Sequence, residues 1–438
     1  MAGVTYTNVE PSAARLTESL RDIGYDFPTA VADIVDNSVA AGATRVEIEI
    51  RFDGPDSWVS IADDGVGMSV NALLEALRYG SRREYGRNDL GRYGLGLKTA
   101  SLSQCRSVTV VSRPRSSART AARVIDLDVV ADFDEWVVIS PGSDEHVTRA
   151  RQLVADNGGT VVVWRKLDRV LPEKRPEGGW ARRRLEGLAD RTAEHLGIVF
   201  HRFIEGAVGE PLVITVNGVK VAPWNPFARD EPACTVFPAQ RFEIAVGEIS
   251  GTVTLTPFVL PSRDQFSSAA EFDRMSGPLN WNRQQGLYIY RADRLVQWGG
   301  WGGIRGIDEH TKLARAALDF DTDLDLVFNI NVPKMRVTMP PQLRQLLERP
   351  INELCIRADD AYRKTPRTVS GSVPATDSGP PVPVPARLPE PDTSPVSTAG
   401  LALRAAAMQV GEYDAWRRIV DVVRRQAPEV AQSLGLSD

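Results

Sequence analysis

Three short segments near the N-terminus constrain this chain more than any other feature, because each sets an acidic, amide or basic side chain close to glycine. In the first, ADIVDNSVAAGA (32–43), apolar residues recur at helical spacing, so Asp33 and Asn37 fall four apart on one helix face. A carboxylate beside an amide carbonyl suits a magnesium ion and an oriented water. The second, ADDGVGM (62–68), follows an alternating strand pattern. There Gly65 and Gly67 permit close backbone approach to a ligand, and Asp63 offers an acceptor for an exocyclic amine. The third, GRYGLGLKTAS (91–101), sets Gly91, Gly94 and Gly96 before a helix start near Leu97. Free amides at such a junction, with the helix dipole and the charge of Lys98, make a phosphate cradle. The loop is not a Walker A motif, since GxxxxGK[ST] is absent, nor a dinucleotide fingerprint, since no strand leads directly into it. Taken singly, the segments also fit a solvated or capping helix face, an acidic turn and an ordinary glycine loop. Their order and spacing together are hard to produce by chance.

ADIVDNSVAA, DDGVGM and GRYGLGLKTAS together resemble the three ATP-binding boxes of the GHKL superfamily, over residues 10–205. That superfamily includes gyrase B, MutL, MORC proteins, the ninety-kilodalton heat-shock chaperone and histidine kinases. The resemblance implies Mg-ATP as ligand, with Asn37 binding Mg2+ and Asp63 recognising the adenine amino group. Gly65, Gly67 and Met68 would line the base pocket. Residues 69–97 would form a mobile lid, and Gly91, Gly94, Gly96, Leu97 and Lys98 would wrap the phosphates. Gly159-Thr160 resembles the family's late Gly-Thr, whose hydroxyl would help bind Asp63 and the adenine water. One position departs from the pattern: hydrolytic members carry glutamate where this chain has Asp33. Aspartate is shorter by one methylene, about 1.5 Å, so the residues argue for ATP binding more strongly than for turnover.

Around the boxes the periodicity predicts helix over 15–43 with a break at Gly24–Pro28, and strands at 45–52, 58–65, 107–113, 122–130 and 159–167. A long helix is expected at 176–204. The expected class is α+β, an α/β sandwich and not a Rossmann alternation. A second strand-rich block is expected from 211–221 onward, through 241–260 with a turn at Gly247, and 286–298 with a turn at Ala292–Asp293. Helix 340–364 closes it. Residues 366–395 hold nine prolines and cannot bury enough apolar surface to offset ordering, so 366–399 is expected to be a linker before short helices in 400–438. The expected domains are therefore 1–205, 206–365, the linker, and the C-terminal segment.

NRQQGLYIYRADRLVQWGGW (282–301) and VFNINVPKMRVTMPPQLRQLL (327–347) resemble the transducer domain of MutL, MORC and gyrase B. There a lysine reaches into the ATP site and contacts the terminal phosphate. Lys334, expected just after a strand, matches it best and Arg336 is the next candidate; a surface lysine at a turn is the plainer alternative. The catalytic candidates are thus Asp33 and Lys334. The layout lacks a phospho-acceptor helix pair, a topoisomerase cleavage domain and an endonuclease domain, and looks most like the bacterial MORC-like ATPases. By that resemblance the chain is an ATP-gated homodimeric clamp acting on DNA, with operon-encoded effector proteins in restriction-modification or phage defence. The alternative is a nucleotide-dependent switch or chaperone-like module that binds a protein and hydrolyses little. RYGSRREYGR (78–87), SRPRSS (112–117) and ARRRLEG (181–187) could contact phosphates or simply be solvated surface. A net charge of −5 gives no hint of a polyanion partner. The absence of a long apolar run or a secretory leader pattern, with three dispersed cysteines, predicts a cytoplasmic protein without a membrane anchor.

Overall fold

The N-terminal helical periodicity resolves into two helices. The first, α1 (Ala13–Arg21), starts at Ser12, whose side chain accepts from the Arg15 amide. The second, α2 (Phe27–Ala40), starts at Asp26, which accepts from the Thr29 amide, with Pro28 in the first turn where its missing N–H costs nothing. Every residue from Ala30 to Asp36 is buried, acids included. The computed structural model describes residues 11–80, 96–172, 176–331, 334, 337–363, 416, 420 and 423.

The chain continues through β1 (Arg45–Arg51), β2 (Trp58–Asp63), α3 (Val70–Leu77), α4 (Gly96–Leu102), β3 (Ser107–Arg113), β4 (Ala121–Asp126), α5 (Leu127–Phe133), α6 (Glu145–Leu153) and β5 (Gly159–Arg165). Then come α7 (Gly179–Val199), α8 (His201–Ile204), β6 (Val213–Val216) and β7 (Val219–Lys220). These strands make one sheet, ordered β4-β3-β5-β2-β1-β6-β7. Its neighbours are antiparallel except β1 and β6. The run Val161–Trp164 shows how both faces are filled. Val162 and Trp164 join the core under α2 and α7, while Val161 and Val163 pack with Val147 and Ala150 of α6 on the other face.

The second sheet uses β8 (Thr235–Val236), β9 (Gln240–Val246) and β10 (Ile249–Val259). After the short helices α9 (Ala269–Met275) and α10 (Trp281–Gln284) it adds β11 (Gly286–Arg291), β12 (Arg294–Trp298) and β13 (Ala314–Phe320), and α11 (Pro341–Arg363) packs against it. Its order is β12-β11-β13-β10-β8, with β9 also paired to β10. The β9–β10 hairpin turns at Gly247 and the β11–β12 hairpin at Ala292–Asp293, where both residues have positive φ. The chain is α+β.

Four sequence expectations need correction. The hairpin at 213–220 belongs to the first sheet, because β6 pairs with β1 in parallel, so that layer extends past residue 205. Within 122–130 the strand stops at Asp126, whose side chain accepts from the Asp128 amide and starts α5. Among the described residues no strand leads directly into Lys334: residues 322–331 are a short 3-10 helix and turns, with Phe328 stacked on Phe320 at 3.9 Å and buried with Leu324. Residues 70–77 of the expected lid form α3, anchored by buried Leu73 and Leu77.

The two sheets meet through α7, α8 and the β11–β12 hairpin. Ile198 of α7 lies in the second core. Arg202 donates to Asp293 at 2.8 Å and Asp319 at 2.5 Å, and lies 3.5 Å from the ring centre of Tyr290. His201 and the Tyr290 hydroxyl are 2.9 Å apart. All this lies in one compact unit, Met1–Arg367. In the other unit, Val420 is buried between Trp416 and Val423. The expected linker 366–399 and most of 400–438, including Ile419, lie outside the described residues.

Candidate nucleotide site

Helix α2 carries four polar residues within two turns: Asp33, Asp36, Asn37 and Ser38. Asn37 is exposed, while the other three are buried. The pairing of Asp33 with Asn37 on one face is therefore only half of what the helix does. Asp33 and Asp36 face inward together, and Asn37 faces solvent as an oxygen donor free of the core.

Asp33 is engaged on both oxygens. The Tyr25 hydroxyl donates to Oδ2 at 2.9 Å, and the Lys334 ammonium to Oδ1 at 2.5 Å. Lys334 also donates to Asp36 Oδ2 at 2.8 Å, and Arg294 Nε to Asp36 Oδ1 at 2.7 Å. Both cations come from the second-sheet region, Arg294 opening β12 and Lys334 from a turn where its φ is +53°. Two carboxylates and two cations thus form a neutral buried cluster across the junction. Burying any one of these charges alone would cost several kcal/mol. Gly96 at the start of α4 closes over Asp33, since a Cβ there would lie 2.5 Å from Oδ2.

Asp63 ends β2, half-buried. It accepts from the Gly65 amide at 2.9 Å and the Ser38 hydroxyl at 3.1 Å. Burial pushes its carboxyl up to about 6, against the lowering effect of Gly65, Ser38 and the Thr160 backbone. Asp64 is committed elsewhere: burial raises it, but hydrogen bonds from Arg45 and Thr44 outweigh that and hold it below the usual range. Of the two adjacent acids, Asp64 accepts three hydrogen bonds and Asp63 two, which leaves Asp63 the greater acceptor capacity toward a ligand.

The glycines serve the chain itself before any ligand. A Cβ on Gly65 would lie 2.7 Å from that of Ala41, and one on Gly67, at φ +69°, only 2.0 Å from the Arg113 carbonyl oxygen. The Met68 amide donates to the Ser112 hydroxyl at 2.8 Å, and Ser112 Oγ lies 2.9 Å from the Thr160 hydroxyl. The Thr160 hydroxyl therefore meets Ser112, not the Asp63 carboxylate. Leu97 packs on the first core. Lys98 is buried and donates to the Ala76 carbonyl of α3 at 2.7 Å, with burial pushing it down to about 8. Its ammonium ties α4 to the end of α3 in this state, where the sequence had suggested a phosphate contact. Gly91, Gly94 and Arg336 lie outside the described residues.

Residues 25–160 match the family described as histidine kinase-, DNA gyrase B- and HSP90-like ATPase. The chain carries a GHKL ATPase domain. It is similar to the DNA mismatch repair protein MutL of Paramagnetospirillum magneticum, at 32% identity over 93 residues, covering 20% of this chain and 15% of MutL. It is also similar to MICRORCHIDIA 5 of Arabidopsis thaliana (36% over 93 residues; 20% and 13%) and to ATPase morc-1 of Caenorhabditis elegans (29% over 85 residues; 19% and 10%). The matches span 15% or less of each of these relatives. No described helix is long and apolar enough to cross a membrane.

The side chains gathered here suit ATP: a half-buried carboxylate acceptor at Asp63, an exposed amide at Asn37, and, from outside the matched residues, a cation at Lys334 beside Asp33. Sequence reasoning missed Tyr25, Asp36, Ser38 and Arg294. An acid at 36, amid residues that are otherwise apolar to its N-terminal side, was the one available signal. Nothing local marks Arg294.

Proposed function

We propose that this chain binds Mg-ATP and hydrolyses it slowly, using nucleotide state to set the relation between its two sheets as a dimerising clamp on DNA. The observation that carries this reading is Lys334, which crosses from the second sheet's side to Asp33 and Asp36 on α2. A lysine so placed is within reach of a terminal phosphate, so the presence of that phosphate would alter an inter-sheet contact. Asp63 would accept from the adenine amine, Asn37 would ligate Mg2+, and Asp33 would orient the attacking water. The metal would contribute charge neutralisation at the phosphates. The MutL and MORC likeness supports a DNA role, and effector partners in a defence setting would be consistent with it.

A second reading has its own support. Both oxygens of Asp33 are taken, by Tyr25 and Lys334, and the side chain is shorter than glutamate. Such a carboxylate is not free to orient an attacking water until Lys334 leaves, which favours a nucleotide-dependent switch or chaperone-like module with little turnover. Measuring ATP hydrolysis and DNA binding on purified protein, over a salt series, decides between them. The clamp predicts turnover and DNA affinity that falls steeply with salt. ATP binding with neither property would leave the switch, and no ATP binding would remove both.

A further inference from the structure

Arg294 bonds to Asp36 and not to Asp33 among the described residues, yet it grips the same helix. It is 2% exposed and donates through Nε to Asp36, which is itself wholly buried. Asp36 uses its other oxygen for Lys334. Arg294 Nη1 also lies 3.4 Å from the Lys334 carbonyl oxygen, so it touches both the backbone of that lysine and the carboxylate that holds its ammonium. The strand behind it is fixed: β12 pairs with β11, and α7 packs on it, with His195 and Trp298 ring centres 6.1 Å apart.

From this geometry we infer that Arg294, acting with Asp36, is the positioning residue that holds Lys334 in the nucleotide site. Lys334 is on a turn in the left-handed backbone region, which a lysine does not favour. Something outside that turn must stabilise it, and the described contacts that do so are Asp33, Asp36 and Arg294. Without the guanidinium, Asp36 would have only the lysine to neutralise it, and the ammonium would be drawn from Asp33 toward Asp36. Arg294 therefore sets where along α2 the lysine points. It also makes the β11–β12 hairpin the mechanical link between the second sheet and the phosphate end of the site.

This inference rests on the nucleotide-site reading above, and the test separates the two. Calorimetry on the full chain compares the affinity for ADP with that for a non-hydrolysable ATP analogue, because only the analogue carries the group that Lys334 would meet. Arg294→Gln should leave ADP affinity within threefold of wild type and reduce the preference for the analogue at least fivefold. Lys334→Ala should do the same, and Lys334→Ala with Arg294→Gln should be no worse than Lys334→Ala alone, since both act through one ammonium. Arg294→Lys, which keeps the charge at Asp36, should recover most of the preference. The inference fails if Arg294→Gln retains the full preference, if the double variant is additive, if ADP affinity falls in parallel, or if the wild type does not distinguish the nucleotides. Should Arg294→Gln not fold, Arg294→Lys carries the test, with an intact fold and no recovered preference overturning the inference. A wild type that binds neither nucleotide would instead sink the nucleotide site itself.

Discussion

At Asp63, burial and hydrogen bonding oppose one another, and burial wins, with the carboxyl raised from 3.8 to about 6. An acid raised on folding binds its proton more readily in the folded state. Folded stability therefore rises as pH falls through 6, and the gain is complete near 3.8. Above pH 6 the ionised side chain costs on the order of 3 kcal/mol. Asp63→Asn should accordingly raise the melting temperature at pH 8, with the gain shrinking toward pH 4, while weakening ATP binding. Asp63→Ala should weaken ATP binding roughly tenfold to a hundredfold. Calorimetry and melting curves across pH check both, and a variant with unchanged ATP affinity would unseat the adenine assignment. Asp33 is different, because its loss leaves two buried cations facing Asp36 alone. Asp33→Asn should keep ATP binding, abolish measurable turnover, and cost about 3 kcal/mol in denaturant titrations. Retained hydrolysis would move the base elsewhere.

Elements meet here through glycine and through one histidine. Gly67 has both a left-handed backbone and the Arg113 carbonyl where a side chain would go, whereas Gly24, at φ +91°, has open space around it. The backbone penalty is roughly 1–3 kcal/mol at either site, and the clash at Gly67 adds to it. Gly67→Ala should therefore lower the melting temperature clearly more than Gly24→Ala, and equal losses would mean that the β2–α3 loop does not pack on β3 in solution. Where α7 meets β12, burial and then Arg294 push His195 down to about 4. A histidine lowered from 6.5 stabilises the fold fully at pH above 6.5 and loses that contribution as pH falls toward 4. His195→Phe should shrink the loss of melting temperature between pH 7 and pH 5. An identical acid profile would place the acid sensitivity elsewhere.

Over the whole molecule, the apolar contacts of Ile198 and Trp298 between the two sheets are joined by charged and polar ones: Arg202 with Asp293 and Asp319, His201 with Tyr290, and the four-group cluster on α2. Such a junction is cheaper to rearrange than an apolar core of equal area, provided a new counter-charge arrives with the rearrangement. A γ-phosphate is one. In light scattering at matched concentration, a non-hydrolysable ATP analogue should shift the chain from monomer to dimer, ADP should not, and Lys334→Ala should weaken the shift. An oligomeric state indifferent to nucleotide would favour the switch over the clamp. A shift untouched by Lys334→Ala would keep the clamp and move the phosphate sensor to another group.

Local pattern alone determined much of this protein. Apolar spacing and Pro28 mark α2, alternation marks the strands, and Gly247 and Ala292–Asp293 mark their hairpin turns, because each depends on residues only a few positions apart. The three boxes were legible for the same reason, as short runs whose composition suits one chemistry, whereas Lys334 was singled out by the transducer resemblance alone. Tertiary structure decided what lies beyond that range. Lys334 and Asp33 are 301 residues apart, and Arg294 and Asp36 are 258 apart, so no window of sequence could pair them. It turned Thr160 toward Ser112, ended a strand at Asp126, and gave Gly65 and Gly67 to chain packing. Local conformation follows from a residue's neighbours, whereas the partner of a buried charge is settled only when the whole fold removes water from it.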